Sequence, residues 1–327
     1  MSNSWALSQV WNDSLNTDRP REMVARDYIY ASELGGSHYD RYWKMKGRKP
    51  TTPPNLRAQR KFEAGNLTEW VVLQILKRAR VLKDSQGIVN SEDTQLSVHG
   101  RYDYLAGGKP QGVDLSDLPD VLADISLTTI ESLIKKYPKG LADQGLELKS
   151  CSSFMFDKYE KTPNTMHALQ SFHYAYNTGK PWHLVYLCKD DLRMAEYVIL
   201  PKSKRWEELY LSDIRTMAEV IKLNEEEIEA WKEPLLAYDS ETHKFSKNWK
   251  IEYSNYLTDY DFERSDLYSD IASKLARRIN GVVKHILNGK ELSKVNHKTL
   301  KEVYEFYPEA EVIINALMDE NPIKEEK

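Results

Sequence analysis

Apolar and polar residues alternate most tellingly around Leu146-Glu147-Leu148-Lys149-Ser150, directly after Gly145. A glycine break followed by strict alternation predicts a short strand. Its two leucines then face a core, while Glu147 and Lys149 share the opposite face, about 7 Å apart along the strand. Upstream, Phe62, Leu67, Trp70, Val71, Leu73 and Ile75 recur at three- and four-residue spacings and predict a helix over 56–80. Gly65 interrupts that helix. Glu69 lies four residues on, on nearly the same face. Residues 96–105 alternate as a strand that carries Asp103, with Gly107-Gly108 as its turn. Residues 121–127 predict a second apolar strand, with Asp124 as a rival acidic candidate. Residues 129–136 then predict a short helix ended by Pro138 and Gly140.

Thr162-Pro163-Asn164 opens a helix with Pro in its first turn, running to about Tyr176 and stopping before Gly179. Met166, Leu169 and Phe172 supply its buried side. Gln170 and Tyr174, four apart, share another face. Residues 182–188 and 194–200 predict two strands joined at Lys189-Asp190-Asp191. From Lys204 onward the pattern reads as helices over 205–223, 225–237, 261–287 and 300–318, with a tyrosine-rich connector at 253–260. Near the start, Tyr28-Ile29-Tyr30 reads as a strand and 39–45 as a helix. Residues 48–56 form a Pro/Thr linker, and residues 1–20 carry no clear periodicity.

A chain of 327 residues corresponds to one large domain or two moderate ones. The expected division is an N-terminal segment, 1–56, packing on a core at 57–203. That core carries an insertion near 106–144, and a helical subdomain follows at 204–327. The net charge of −4 argues against indiscriminate coating of nucleic acid but permits a local basic groove. Cys151 and Cys188 are too few for a four-cysteine zinc or iron–sulfur site and point to a reducing cytoplasm. No apolar run is long enough to span a bilayer, and the first residues lack the features of a signal peptide.

As a lone tripeptide, Glu147-x-Lys149 would be an ordinary ion pair on a solvated strand. Its company gives it meaning. A helix with Gly65-x-x-x-Glu69, a strand with Asp103, Glu147-Leu148-Lys149 and then Gln170-x-x-x-Tyr174 follow in order. In that order the chain resembles the PD-(D/E)XK nuclease superfamily, within it the RecB-type and phage-exonuclease branches. Ala31-Ser32-Glu33-Leu34-Gly35 is similar to a small motif preceding the helix in those branches. The resemblance spans residues 28–200. The long Asp103-to-Glu147 separation departs from the pattern and requires the insertion.

The resemblance implies an α/β fold with a restriction-endonuclease-like core: helix, three strands, helix, strand, a central mixed sheet flanked by helices, and a helical C-terminal extension. It implies a metal-dependent DNA exonuclease of recombination, repair or phage DNA processing, in a bacterial or phage-infected cell. Asp103, Glu147 and the Leu148 carbonyl would hold Mg²⁺ or Mn²⁺, ions suited to oxygen ligands, with Glu69 joining directly or through water. Lys149 would position the attacking water, Gln170 would orient the lysine or the water, and Tyr174 would touch the DNA backbone. Arg57, Arg60 and Lys61 would meet phosphates. An iron–sulfur cluster is not expected, since the cysteines of iron–sulfur relatives are absent, nor is a nucleotide cofactor, since the chain has no phosphate-binding Gly-x-x-x-x-Gly-Lys-Ser/Thr loop. Candidate partners are DNA, a recombinase, a helicase, a single-strand-binding protein or a second copy of the chain. No membrane is expected. An endonuclease on the same core and an inactive DNA- or protein-binding module stand as alternatives.

Overall fold

The structure is a computed structural model, and it describes residues 23–52, 56–91, 95–111 and 120–322. Residues 1–20, Pro53-Pro54 and the charged tail at 324–327 lie outside that range, as does part of the expected insertion. The architecture is mixed α/β: a central mixed sheet flanked by helices, with a helical C-terminal part. The chain divides into two compact units. The first comprises residues up to Gly36, Lys44–Gly47 and Pro54–Lys222; the second comprises Ser37–Trp43, Arg48–Pro53 and Leu223–Lys327.

In the first unit the elements run β1 (Tyr28–Tyr30), α1 (His38–Met45, shared with the second unit), α2 (Leu56–Arg78), β2 (Leu82–Ser85), β3 (Ile88–Ser91) and β4 (Ser97–Arg101). Then come β5 (Tyr104–Gly108), α3 (Asp120–Lys136), β6 (Leu141–Cys151), α4 (Ser153–Tyr159), α5 (Thr165–Thr178), β7 (Trp182–Cys188), β8 (Met194–Ile199) and α6 (Lys204–Val220). The main sheet has the order β2-β5-β6-β7-β8. Only β6 and β7 are parallel neighbours, pairing Glu147 with Leu184 and Lys149 with Tyr186. A parallel pair needs a crossover, here α4 and α5. A second sheet has the order β1-β4-β3.

Helix α5 forms where its end signals predict. The Asn164 carboxamide caps it, accepting from the Met166 and His167 amides at 2.9 and 3.4 Å. Gly179 closes it in the left-handed region, φ 67°. Pro163 stands before the cap rather than inside the first turn. Ala168 through Ala175 are all buried. Helix α2 covers the other face, where Val72 packs on Leu146, Leu148, Val185 and Leu187. Its apolar stripe is only partly used, since Phe62, Leu67 and Trp70 remain exposed.

Several expected elements differ. The strand expected over 96–105 breaks at Tyr102-Asp103, and β4 and β5 enter different sheets. The Tyr102 amide donates to Gly87 and the Asp103 carbonyl accepts from Gln86, so both residues leave the ladders. Gly107-Gly108 belongs to β5 rather than to a turn. Residues 121–127 are helical, within α3, so Asp124 is not on a strand. Ile130 and Leu133, three apart on α3, pack against Leu76, Ala79 and Val81, which rewards helical spacing.

The second unit begins earlier in the chain and later than expected at its main boundary. Residues 37–43 and 48–53 belong to it, not to the core. The Asp40 carboxylate accepts from Ser254 Oγ at 2.7 Å and from the Asn255 amide at 2.9 Å. Arg48 grips Asp259 through two bonds of 2.6 and 2.9 Å. Helix α6 stays with the first unit, where Tyr210 meets His173 Nδ1 at 2.9 Å. The helix expected over 225–237 is a short 3-10 turn followed by a hairpin, β9 (Leu236–Asp239) and β10 (Lys244–Lys247). Beyond α7 (Trp249–Glu252), α8 (Ser265–Leu287) is the central helix. Ala272, Leu275, Ile279, Val282 and Ile286 line its buried stripe. The helix expected over 300–318 is divided into α9 (Lys294–Phe306) and α10 (Glu309–Glu320), because Pro308 cannot continue the first. In the connector, Tyr256 is buried and donates to the Arg48 carbonyl, so it is a core tyrosine. No described helix is long and apolar enough to cross a membrane.

Gly145 and Trp182 make the tightest contact of the main sheet. A Cβ on Gly145 would stand 2.1 Å from the indole, which is wholly buried between Tyr102 and Tyr174. Gly145→Ala should therefore destabilise the first unit by about 1–3 kcal/mol or more. Gly281 in α8 is exposed with open space around it. Gly281→Ala should stabilise by about 0.5–1 kcal/mol through helix propensity. Urea unfolding of the two variants checks both signs; equal shifts would refute the steric account.

Candidate active site

Alternation along β6 assigns its two faces. Leu146, Leu148 and Ser150 turn toward α2, and a Cβ on Gly65 would lie 3.2 Å from Ser150 Oγ. The missing side chain at Gly65 lets helix and strand come that close. Glu147 and Lys149 turn toward α5, Glu147 covered and Lys149 half-buried. Glu147 is 1% exposed.

Lys149 Nζ donates to Glu147 Oε1 at 2.6 Å. The second carboxylate oxygen, Oε2, is buried and has no partner. Asp103 stands immediately before β5. Its Oδ2 accepts the Leu148 amide at 2.7 Å, fastening the end of β5 to the middle of β6. A strand residue sends its N–H and C=O to the same edge, so the Leu148 carbonyl faces the Asp103 side as well. Glu69, half-buried on α2, approaches the same end of β5, where the Tyr104 hydroxyl donates to the Glu69 carbonyl at 2.7 Å.

The four ionisable groups perturb one another. Burial pushes the Glu147 carboxyl up to about 8; Lys149 opposes this, while Asp103 and Glu69 reinforce it. Burial also raises Asp103, with Lys149 and the Leu148 amide pulling back. Glu69 is raised by burial and by Asp103. Burial pulls the Lys149 ammonium down, but Glu147, Asp103 and Glu69 outweigh it and hold it above its ordinary value. The cluster is three carboxylates crowded against one cation, and each carboxylate is easier to protonate than usual.

The remaining expected residues fall in different places. Gln170 is buried on the α5 face that covers the cluster, and its amide nitrogen donates to Tyr174 Oη at 3.1 Å, not to Lys149. Tyr174, expected to touch DNA, is 1% exposed, and its hydroxyl donates to the Arg101 carbonyl at 3.0 Å. It braces α5 against the end of β4 and has no surface left for a ligand. Arg57, Arg60 and Lys61 lie exposed on the N-terminal half of α2. Glu33, in the short N-terminal motif, is held by Arg26 at 2.7 Å and stands outside the cluster. Two residues that the sequence pattern passed over stand beside Lys149: Tyr186, its register partner, and His167, bonded to Tyr186. The spacing His167, Gln170, Tyr174 is three then four, a helical stripe visible in the sequence.

A divalent cation is the group that the carboxylates imply. Among the described residues, no group of three His, Cys, Asp or Glu side chains stands close enough together to hold a metal. Two observations nevertheless fit a cation: the unpartnered buried Oε2 of Glu147, and carboxyls raised by burial and by one another. Both are relieved by positive charge, and the donors are hard oxygens. Cys151 and Cys188, paired in register beyond Lys149, are free and buried.

No family model matches the chain, and no curated protein matches it. One solved structure, described as the crystal structure of SSO0001, aligns with 65% of this chain and 86% of its own, at 14% identity and a TM-score of 0.40. An overlap that loose carries no argument about fold or activity, and what the chain offers is the chemistry of its own buried cluster.

Proposed function

We propose that this chain is a Mg²⁺- or Mn²⁺-dependent deoxyribonuclease with a PD-(D/E)XK core, acting as an exonuclease in recombination, repair or phage DNA processing. One observation carries the reading: Glu69, Asp103, Glu147 and Lys149, spread over some eighty positions, lie within electrostatic reach of one another at the middle strand of a sheet. The order α2, β2, β5, β6, α5, β7 supports it, being helix, three strands, helix, strand, with the last two strands parallel.

Asp103, Glu147 and the Leu148 carbonyl would hold the cation, with Glu69 completing the acidic surround. When bound, the cation supplies Lewis-acid polarisation of the phosphodiester and a more acidic attacking water. The protein's own part is positioning and charge. Asp103 holds the β5–β6 junction in place through the Leu148 amide. Lys149, kept protonated by its carboxylate neighbours, offers an ammonium to the scissile phosphate rather than acting as the base. Gln170 acts at one remove, through Tyr174, by fixing how α5 lies over the strand. DNA would reach the cluster past the exposed Arg57, Arg60 and Lys61.

Glu147→Gln and Lys149→Met preserve shape and should each lower Mg²⁺-dependent cleavage of linear duplex DNA by about a thousandfold. Circular dichroism should be unchanged. Covalently closed circles should resist the wild-type protein; cutting them at the same rate would replace the exonuclease by an endonuclease. Ordinary cleavage by both variants would remove the site.

The electrostatics make a second prediction. The Glu147 carboxyl titrates near 8 when folded and near its model-peptide value when unfolded, so the native state holds the extra proton between them. The contribution of Glu147 to metal-free stability is then full below about pH 4 and is lost as pH rises toward 8, by on the order of 4 kcal/mol. Glu147→Gln should flatten that slope. Mn²⁺ binding near pH 7 should release a proton, measurable by titration calorimetry in two buffers of different ionisation enthalpy.

A further inference from the structure

His167 sits at the end of α5 opposite Tyr174, on the stripe that covers Glu147 and Lys149. Its surroundings determine where its proton lies. The Tyr186 hydroxyl takes the Asn164 amide at 2.9 Å, and an amide N–H can only donate. Tyr186 is wholly buried, and His167 Nδ1, 3.2 Å away, is the one acceptor its hydroxyl meets among the described residues, so its single proton goes there. The Tyr159 ring stacks on Tyr186 at 4.6 Å and holds that hydroxyl in place. Burial pushes His167 down to about 3, with Lys149 acting in the same direction, so the ring is neutral at physiological pH. A neutral imidazole that accepts at Nδ1 carries its hydrogen on Nε2. That Nε2–H has no partner among the described residues.

The site thus holds a fixed, neutral, unused donor beside a fixed ammonium. Two positive groups side by side would repel one another and the cation the carboxylates imply; a neutral donor adds hydrogen bonding without charge. Resting on the nuclease reading, we propose that His167 is a further catalytic residue whose Nε2–H, together with Lys149, binds a non-bridging oxygen of the scissile phosphodiester. It strengthens its hold as negative charge develops there, and no proton is transferred.

Three variants separate this from a purely structural role. His167→Asn keeps an acceptor near Nδ1 for Tyr186 but has no donor at Nε2. His167→Gln places an amide N–H near Nε2 and gives up the Tyr186 bond. His167→Ala loses both. The expected order of kcat on linear duplex DNA is wild type, then Gln, then Asn and Ala, with Asn down about a hundredfold. KM and thermal stability should move little in Asn. A structural role gives the reverse order, with Asn near wild type and Gln impaired, and overturns the proposal. Nitrogen-15 imidazole spectra of the DNA-free protein give a readout that needs no activity: His167 should show the Nε2–H tautomer, and the Nδ1–H tautomer overturns the proposal. Full activity in His167→Asn alongside an inactive Glu147→Gln removes this inference alone, whereas activity in Glu147→Gln and Lys149→Met removes the nuclease reading itself.

Discussion

A carboxyl group buried beneath a helix, with one ammonium as its partner, is a costly arrangement, and the first unit is built around it. Taking a charged group out of water is unfavourable unless it is paired and hydrogen-bonded, and Glu147 is only half satisfied. The covering helix must therefore be held firmly from elsewhere. Tyr174 ties it to the end of β4, Asn164 ties its cap to Tyr186, and His173 ties its far side to Tyr210. Those bonds fix the position of α5 without involving the charged pair itself.

The strand beneath divides its labour by parity. From 146 to 150 the even-numbered positions of β6 are apolar or small and face α2; positions 147 and 149 carry charge under α5. A shift of one residue would exchange the two sets, so the register of β6 is specified twice. The parallel pairing with β7 places Tyr186 beside Lys149, and the antiparallel pairing with β5 brings Asp103 to Leu148. Each neighbouring strand adds one polar group to the same short stretch.

Much of this is local enough to read from residues alone. Gly145 and the alternation after it mark β6, and Asn164 and Gly179 bracket α5, because caps and parity act over a few residues. What escaped depended on partners distant in sequence. Residues 121–127 look equally apolar for strand or helix, and the packing of α3 against Leu76 and Val81 decides between them. The β9–β10 hairpin is set by the burial of Leu236 and Phe245 in the second unit, which no local pattern announces. Tyr174 was legible as a neighbour of Gln170, but its burial depends on the Arg101 carbonyl, 73 positions away. His167 lay in plain view on the stripe; its meaning comes from Tyr186 and Asn164, which only the folded chain brings to it.

The second unit is interrupted in sequence, and this bears on how it is made. Asp40 and Arg48 close on Ser254, Asn255 and Asp259, across gaps of 214 and 211 positions. During synthesis from the N-terminus, residues 37–53 leave the ribosome long before their partners exist. Nearly the whole first unit emerges in between and is free to fold while that early segment waits with its aspartate and arginine unmatched. Closure of the later unit therefore waits on pairings of long sequence separation, which makes it a slow step of high contact order.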